Sequence, residues 1–136
     1  MKPSARRKAR ELAVQAIYSW QISQNAISEI EANFLIDNAK RRFDIPYFQL
    51  LLQGVSAAVE SLDQKILPHV DRPLEDIDHV EKAILRVAVY ELIQQDIPYK
   101  VVINEAIEIA KEFAADDSHK FVNGVLDKAV KALPSA

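Results

Sequence analysis

Apolar side chains recur every three or four positions through most of the chain, the period of an amphipathic helix. Leu12, Ala13, Ala16, Ile17 and Trp20 mark the inner face of a helix predicted over residues 4–23. A shorter helical segment follows, with Ile27, Ile30 and Phe34 on one side and Ser28 spaced from Glu31 as in a capping box. Pro46 fits the first turn of a long helix striped by Phe48, Leu51, Leu52, Val55, Val59, Leu62 and Ile66, and Pro68 ends it. Residues 68–78 read as a loop. From Asp78 to about Gln94 the chain is apolar on most sides, as in a central helix covered by others. Its β-branched residues also suit a strand, but the run exceeds an ordinary strand's length. Pro98 opens a helix that aligns Val102, Ala106, Ile109 and Phe113. Asp117 or Ser118 can cap a last helix with Phe121, Val125, Leu126 and Ala129 inward. The pattern predicts an all-α fold of six or seven helices, one domain over residues 1–136.

Composition agrees with a folded helical chain: 49% hydrophobic residues and only two glycines in 136. With no cysteine, disulfides and thiolate metal sites are excluded. No apolar run approaches the roughly 18 residues of a membrane span. The basic N-terminus lacks the apolar stretch a signal peptide requires, since Arg10, Glu11, Gln15 and Gln21 interrupt it. A cytoplasmic protein without a membrane partner is expected.

Charge changes the picture. The net charge is −3, yet residues 1–10 hold Lys2, Arg6, Arg7, Lys8 and Arg10 and no acid. Subtracting these five leaves −8 on the rest, a basic arm on an acidic body. At about 100° per residue, Arg6, Arg7, Arg10, Val14 and Tyr18 share an arc beside the apolar stripe. Cations at a helix N-terminus oppose the helix dipole, so local stability does not favour this arrangement. A phosphate backbone would offset the repulsion, and Tyr18 is suited to stacking an unpaired base. The competing reading is a solvated face, or one paired with acids of the protein's own body.

Other clusters are weaker. The run from Asp117 to Asp127 offers Lys120 for a phosphate, Phe121 for stacking and Asn123 for a base edge; equally, it offers caps, a core Phe121 and a Gly124 that permits close helix packing. Tyr99 and Lys100, with Asn104 and Glu105 one turn later, form a polar patch at another helix start. His69, His79 and His119 are scattered without metal-ligand spacing. Nucleotide loops and nucleophile elbows are missing. No enzyme, cofactor or metal is expected.

Taken together, four runs resemble the NusB family of transcription antitermination factors. They are the arginine-rich first helix from Lys2 to Gln21, the central run from Val80 to Leu92, the segment from Ile97 to Lys111, and Ser118 to Asp127. The resemblance implies two packed helical subdomains and a role in processive antitermination on ribosomal RNA operons. It implies single-stranded boxA RNA as ligand and NusE, a ribosomal small-subunit protein, as heterodimer partner, with RNA polymerase and other Nus factors engaged indirectly. Lys2, Arg6, Arg7, Arg10, Tyr18, Lys100, Phe121 and Asn123 would contact RNA. Glu81 and Arg86 would face NusE, and Asp117 would weaken phosphate binding at the edge of the RNA surface. Three alternatives remain: a NusB-like RNA-binding domain serving another machine such as a ribosomal RNA methyltransferase, against which stands the missing glycine-rich cofactor loop; a protein-only adaptor whose arginines meet acidic partners; and a homodimer that hides the RNA face.

If Tyr18 reads a base, Tyr18→Ala weakens binding of boxA-like RNA more than of scrambled RNA. Equal losses in a fluorescence titration would remove it as a base reader.

Overall fold

The computed structural model describes residues 3–134, and these contain helices and turns without a strand. Seven α-helices follow one another: α1 (Pro3–Ser23), α2 (Ile27–Asp37), α3 (Ile45–Ala57), α4 (Val59–Ile66), α5 (His79–Gln94), α6 (Tyr99–Phe113) and α7 (Ser118–Ala132). Two single 3-10 turns, Leu67–His69 and Leu74–Asp76, occupy the expected loop.

The centre is α5. It packs against α1, α3, α4, α6 and α7, which explains why its sequence is apolar on most sides. Ala83, Ile84, Leu85, Val87, Ala88, Val89 and Leu92 are all buried. Its start is fixed by Asp78, whose carboxylate accepts from the amides of Val80 (3.0 Å) and Glu81 (3.2 Å). α1, α2 and α3 pack together on one side, α6 and α7 on the other. The two groups share one continuous apolar core, with Leu12, Ile17, Phe48, Leu52, Leu85, Val102 and Leu126 among its members.

Four local expectations change. The long helix is broken at Ala58 (φ −109°, ψ 15°), so α3 lies on α1 while α4 turns to lie on α5. The apolar stripe continues across the break because both halves face the same core. Ser28 and Glu31 form no capping box, since α2 begins at Ile27. Glu31 instead accepts from Gln49 (3.3 Å) and Gln53 (2.7 Å), tying α2 to α3. Neither Asp117 nor Ser118 gives α7 a side-chain cap; Asp117 pairs with Lys120 at 3.5 Å and Ser118 is buried. Phe113 is 38% exposed at the end of α6 rather than continuing its buried face.

The two glycines serve opposite ends. Gly54 lies against Tyr90, and a Cβ there would run into the phenol ring. Gly124 has open space where a side chain would stand, so close helix packing is not its reason. Gly54→Ala should therefore destabilise by about 1–2 kcal/mol through overpacking. Gly124→Ala should stabilise by roughly 0.8–1 kcal/mol through helix propensity. Urea unfolding of the two variants checks both signs.

Candidate nucleic-acid interface

The first helix presents its cations to the protein before it presents them to solvent. Arg10, at 4% exposure, is buried. Its Nε lies 2.8 and 3.0 Å from the two Glu91 carboxylate oxygens, and its Nη2 donates to Glu91 at 2.9 Å. The Tyr47 hydroxyl donates to the same carboxylate. Burial pulls the Arg10 guanidinium down, but the hydrogen bonds and charge of Glu91 reverse this and hold it above its ordinary value. Burial, then the Glu91 charge, pushes the Tyr47 phenol well up, so it remains a donor.

The flanking arginines are more open. Arg6 lies 4.3 Å over the Tyr47 ring and 3.8 Å from Asp44. Asp44 is itself fixed, accepting from the Tyr47 amide at the start of α3 and donating its own amide to the Ala5 carbonyl. Arg7 donates to both oxygens of Glu105 at 3.0 Å, and that contact holds its guanidinium above the usual range. Arg10 Nη1 also reaches Glu105, at 3.4 Å. The arginine strip is thus met by Asp44 at the start of α3, Glu91 of α5 and Glu105 of α6, although α1 itself offers only Glu11 close by. This correction makes the reading with acids of the protein's own body true of the strip's structure. It does not close the outer face, because the side chains of Arg6 and Arg7 keep 44% and 60% exposure.

Tyr18, 37% exposed, lies two turns along α1 from Arg10, beyond a buried Val14. α1 runs antiparallel to α5: Arg10 meets Glu91 near the end of α5, whereas Gln21 donates to the His79 carbonyl (2.9 Å) at its start. Tyr99 shares a cleft with Leu92, Gln95 and Val130, so the neighbouring Lys100 belongs to the end of the bundle that holds the arginines. Phe121, at the start of α7, lies at the other end, beneath Arg72 of the α4–α5 loop. The 16 residues of α5 separate the ends by about 24 Å. Arg6, Arg7 and Lys100 are therefore grouped, while Tyr18 and Phe121 lie further along.

Phe121 is partly buried against the core, and Asn123 is exposed without a side-chain partner among the described residues. On a helix these two positions point about 160° apart, so they cannot address one base together. Lys100 and Asp117 are exposed. Lys2 lies outside the described residues. Arg86 is nearly buried, donating to Asp63 (2.9 and 2.8 Å) and Gln21 (3.0 Å), and so clamps α4 and α1 to α5. Glu81 is buried as well. Any partner reaching Arg86 must do so through the cleft it lines with Trp20, Gln24, His79 and Lys82.

Glu91, Tyr47, Asp44, Asp63 and Arg72 were not singled out from sequence. One signal was available: a carboxylate and a guanidinium inside the apolar run of α5 demand buried partners.

The NusB family profile matches residues 7–131. The chain belongs to the NusB family. It is 72% identical to the transcription antitermination protein NusB of Colwellia psychrerythraea, over 98% of this chain and 97% of that protein. With NusB of Idiomarina loihiensis it is 60% identical over 96% and 94% of the two chains. Its fold resembles NusB in a crystal structure of antitermination factors NusB and NusE in complex with dsRNA (TM-score 0.89, 25% identity, 97% of this chain and 100% of that one). It also resembles T. maritima NusB (TM-score 0.81, 29% identity, covering 93% of this chain and 90% of that one). The all-α architecture is thus that of NusB proteins.

In this NusB-family fold the buried pair sets a clear expectation. Arg10→Ala leaves Glu91 buried without its cation and should cost about 3–5 kcal/mol. A thermal melt checks this; a variant as stable as the parent would show that the pair is dispensable to the fold.

Proposed function

We propose that this chain is an RNA-binding transcription antitermination factor that acts with NusE on boxA RNA in nascent ribosomal transcripts. The observation that carries the reading is the half-open arginine strip of α1 in a chain of the NusB family. Arg6 and Arg7 exchange Asp44 and Glu105 for phosphates, joined by Lys100 and by Lys2. Arg10 acts as a positioning residue, holding α1 in register through Glu91. Tyr18 stacks an unpaired base, Phe121 underlies a second stacking site at the start of α7 and Asn123 reads a base edge, while Asp117 repels phosphate beside them. NusE docks at the face of Glu81 and Arg86 and links the RNA to RNA polymerase. The chain supplies binding and positioning; the proposal assigns it no chemistry, cofactor or metal.

The ion pairing of the strip favours one other reading, a helical adaptor whose arginines serve the fold and whose partners are proteins alone. Fluorescence anisotropy separates the two, using a labelled single-stranded boxA-like RNA and a scrambled control, with and without NusE. Preferential boxA binding, tightened by NusE, supports the proposal. Replacing Arg6 and Arg7 together by alanine should weaken both RNAs and flatten the log–log salt slope by about 1.4, for two phosphates lost. No RNA preference in either condition would leave the protein-only adaptor.

A further inference from the structure

The loop between α4 and α5 carries Arg72 over the Phe121 ring, with Cζ 5.0 Å from the ring centroid. Its Nε donates to Asp71 Oδ1 at 2.8 Å. The guanidinium is therefore held twice, by a carboxylate at Nε and by an aromatic ring beneath Cζ. Its side chain still keeps 41% exposure, so it remains open to a partner from solvent. Beyond Asp71, the carboxylates of Glu81 and Asp76 bear more weakly on its charge. Beneath this stack, Phe121 is anchored in the core, so the plate rests on a fixed base. One turn further along α7, Gly124 leaves open space beside it, room for a ribose to approach.

A planar cation fixed at Nε, seated on a ring and still exposed is suited to a second flat partner. Guanidinium planes stack unpaired bases as aromatic rings do, and lysine cannot replace them in this. We propose that Arg72 is a nucleobase-stacking residue, forming with Phe121 a two-layer platform that takes an unpaired base of bound RNA. The inference rests on the RNA-binding reading above, and it adds a contact remote from the arginines of α1. Stacking on such a platform tolerates any base, so it supplies affinity and register more than sequence preference.

The test uses the full chain with NusE and a labelled single-stranded RNA, comparing the parent with Arg72→Lys and Arg72→Ala. Both variants should lose about tenfold in affinity, and Arg72→Lys should keep the salt slope because its charge remains. A scan of the RNA with single abasic positions should find one where the parent loses the same factor and Arg72→Lys loses nothing more. Parent-like binding by Arg72→Lys, with a flatter salt slope for Arg72→Ala, would make Arg72 a phosphate contact and overturn the proposal. Tighter binding by Arg72→Ala would also overturn it, showing that Arg72 covers Phe121 against RNA. Unchanged binding in both, while the Arg6 and Arg7 double variant fails, would sink the platform and leave the functional reading intact. No binding by the parent removes both. Thermal melts confirm that the variants, altered at an exposed loop residue, remain folded.

Discussion

The buried ion pair of Arg10 and Glu91 is the constraint to which the rest of the molecule is fitted. Each ion gives up water at a cost of several kcal/mol, so the pair is tolerable only with near-complete hydrogen bonding. That requirement is met from three helices. Glu91 on α5 takes a forked guanidinium from α1 and a hydroxyl from Tyr47 on α3. A fourth helix joins through Glu105. Because charge and fork geometry must match together, α1 has one register against α5. Apolar packing alone tolerates sliding more readily, since it is not directional.

Fixing Arg10 divides the work of the strip. An exposed ion pair contributes little net stability, being screened and entropically costly to hold. Asp44 and Glu105 are only 8% and 13% exposed, but Asp44 keeps the Tyr47 amide and Glu105 keeps Arg10, so Arg6 and Arg7 can leave them for another anion at modest cost to the fold. Arg10 cannot. Three arginines that look equivalent in sequence thus split into one that orients the helix and two that remain exchangeable. The acids opposite them also resolve the conflict with the helix dipole: the N-terminus of α1 lacks its own acid, but α3, α5 and α6 bring theirs to it.

The fold was largely legible because a 3.6-residue period is a local property. Periodicity located all seven helices except for the break at Ala58, which no glycine or proline marks and which follows from α3 and α4 packing on different neighbours. Caps were harder. Ser28 and Glu31 have the spacing of a capping box, but Glu31 found Gln49 and Gln53, partners distant in sequence. The same limit governs the candidate site. Arc position on α1 aligned Arg6, Arg7, Arg10 and Tyr18 on one side, yet Tyr18 lies two turns beyond Arg10, and the same arc holds a buried Arg10 and an exposed Arg7, because burial depends on what packs against each one. Arg72 had no local signal at all; its significance comes from a ring 49 positions away.

The geometry also limits how an RNA strand can use the proposed contacts. The arginines and Lys100 lie at one end of α5, and Phe121 with Arg72 lies at the other, about 24 Å apart by helix rise. No single nucleotide bridges these groups, so phosphate contacts at one end and base stacking at the other require an extended strand. At the stacking end, Phe121 and Asn123 diverge around α7, and the shorter exposed path between them crosses Gly124. A helix glycine with no neighbour costs stability without serving the chain's own packing. On the proposed reading that cost has a reason, since a side chain there would stand where the sugar–phosphate backbone must cross.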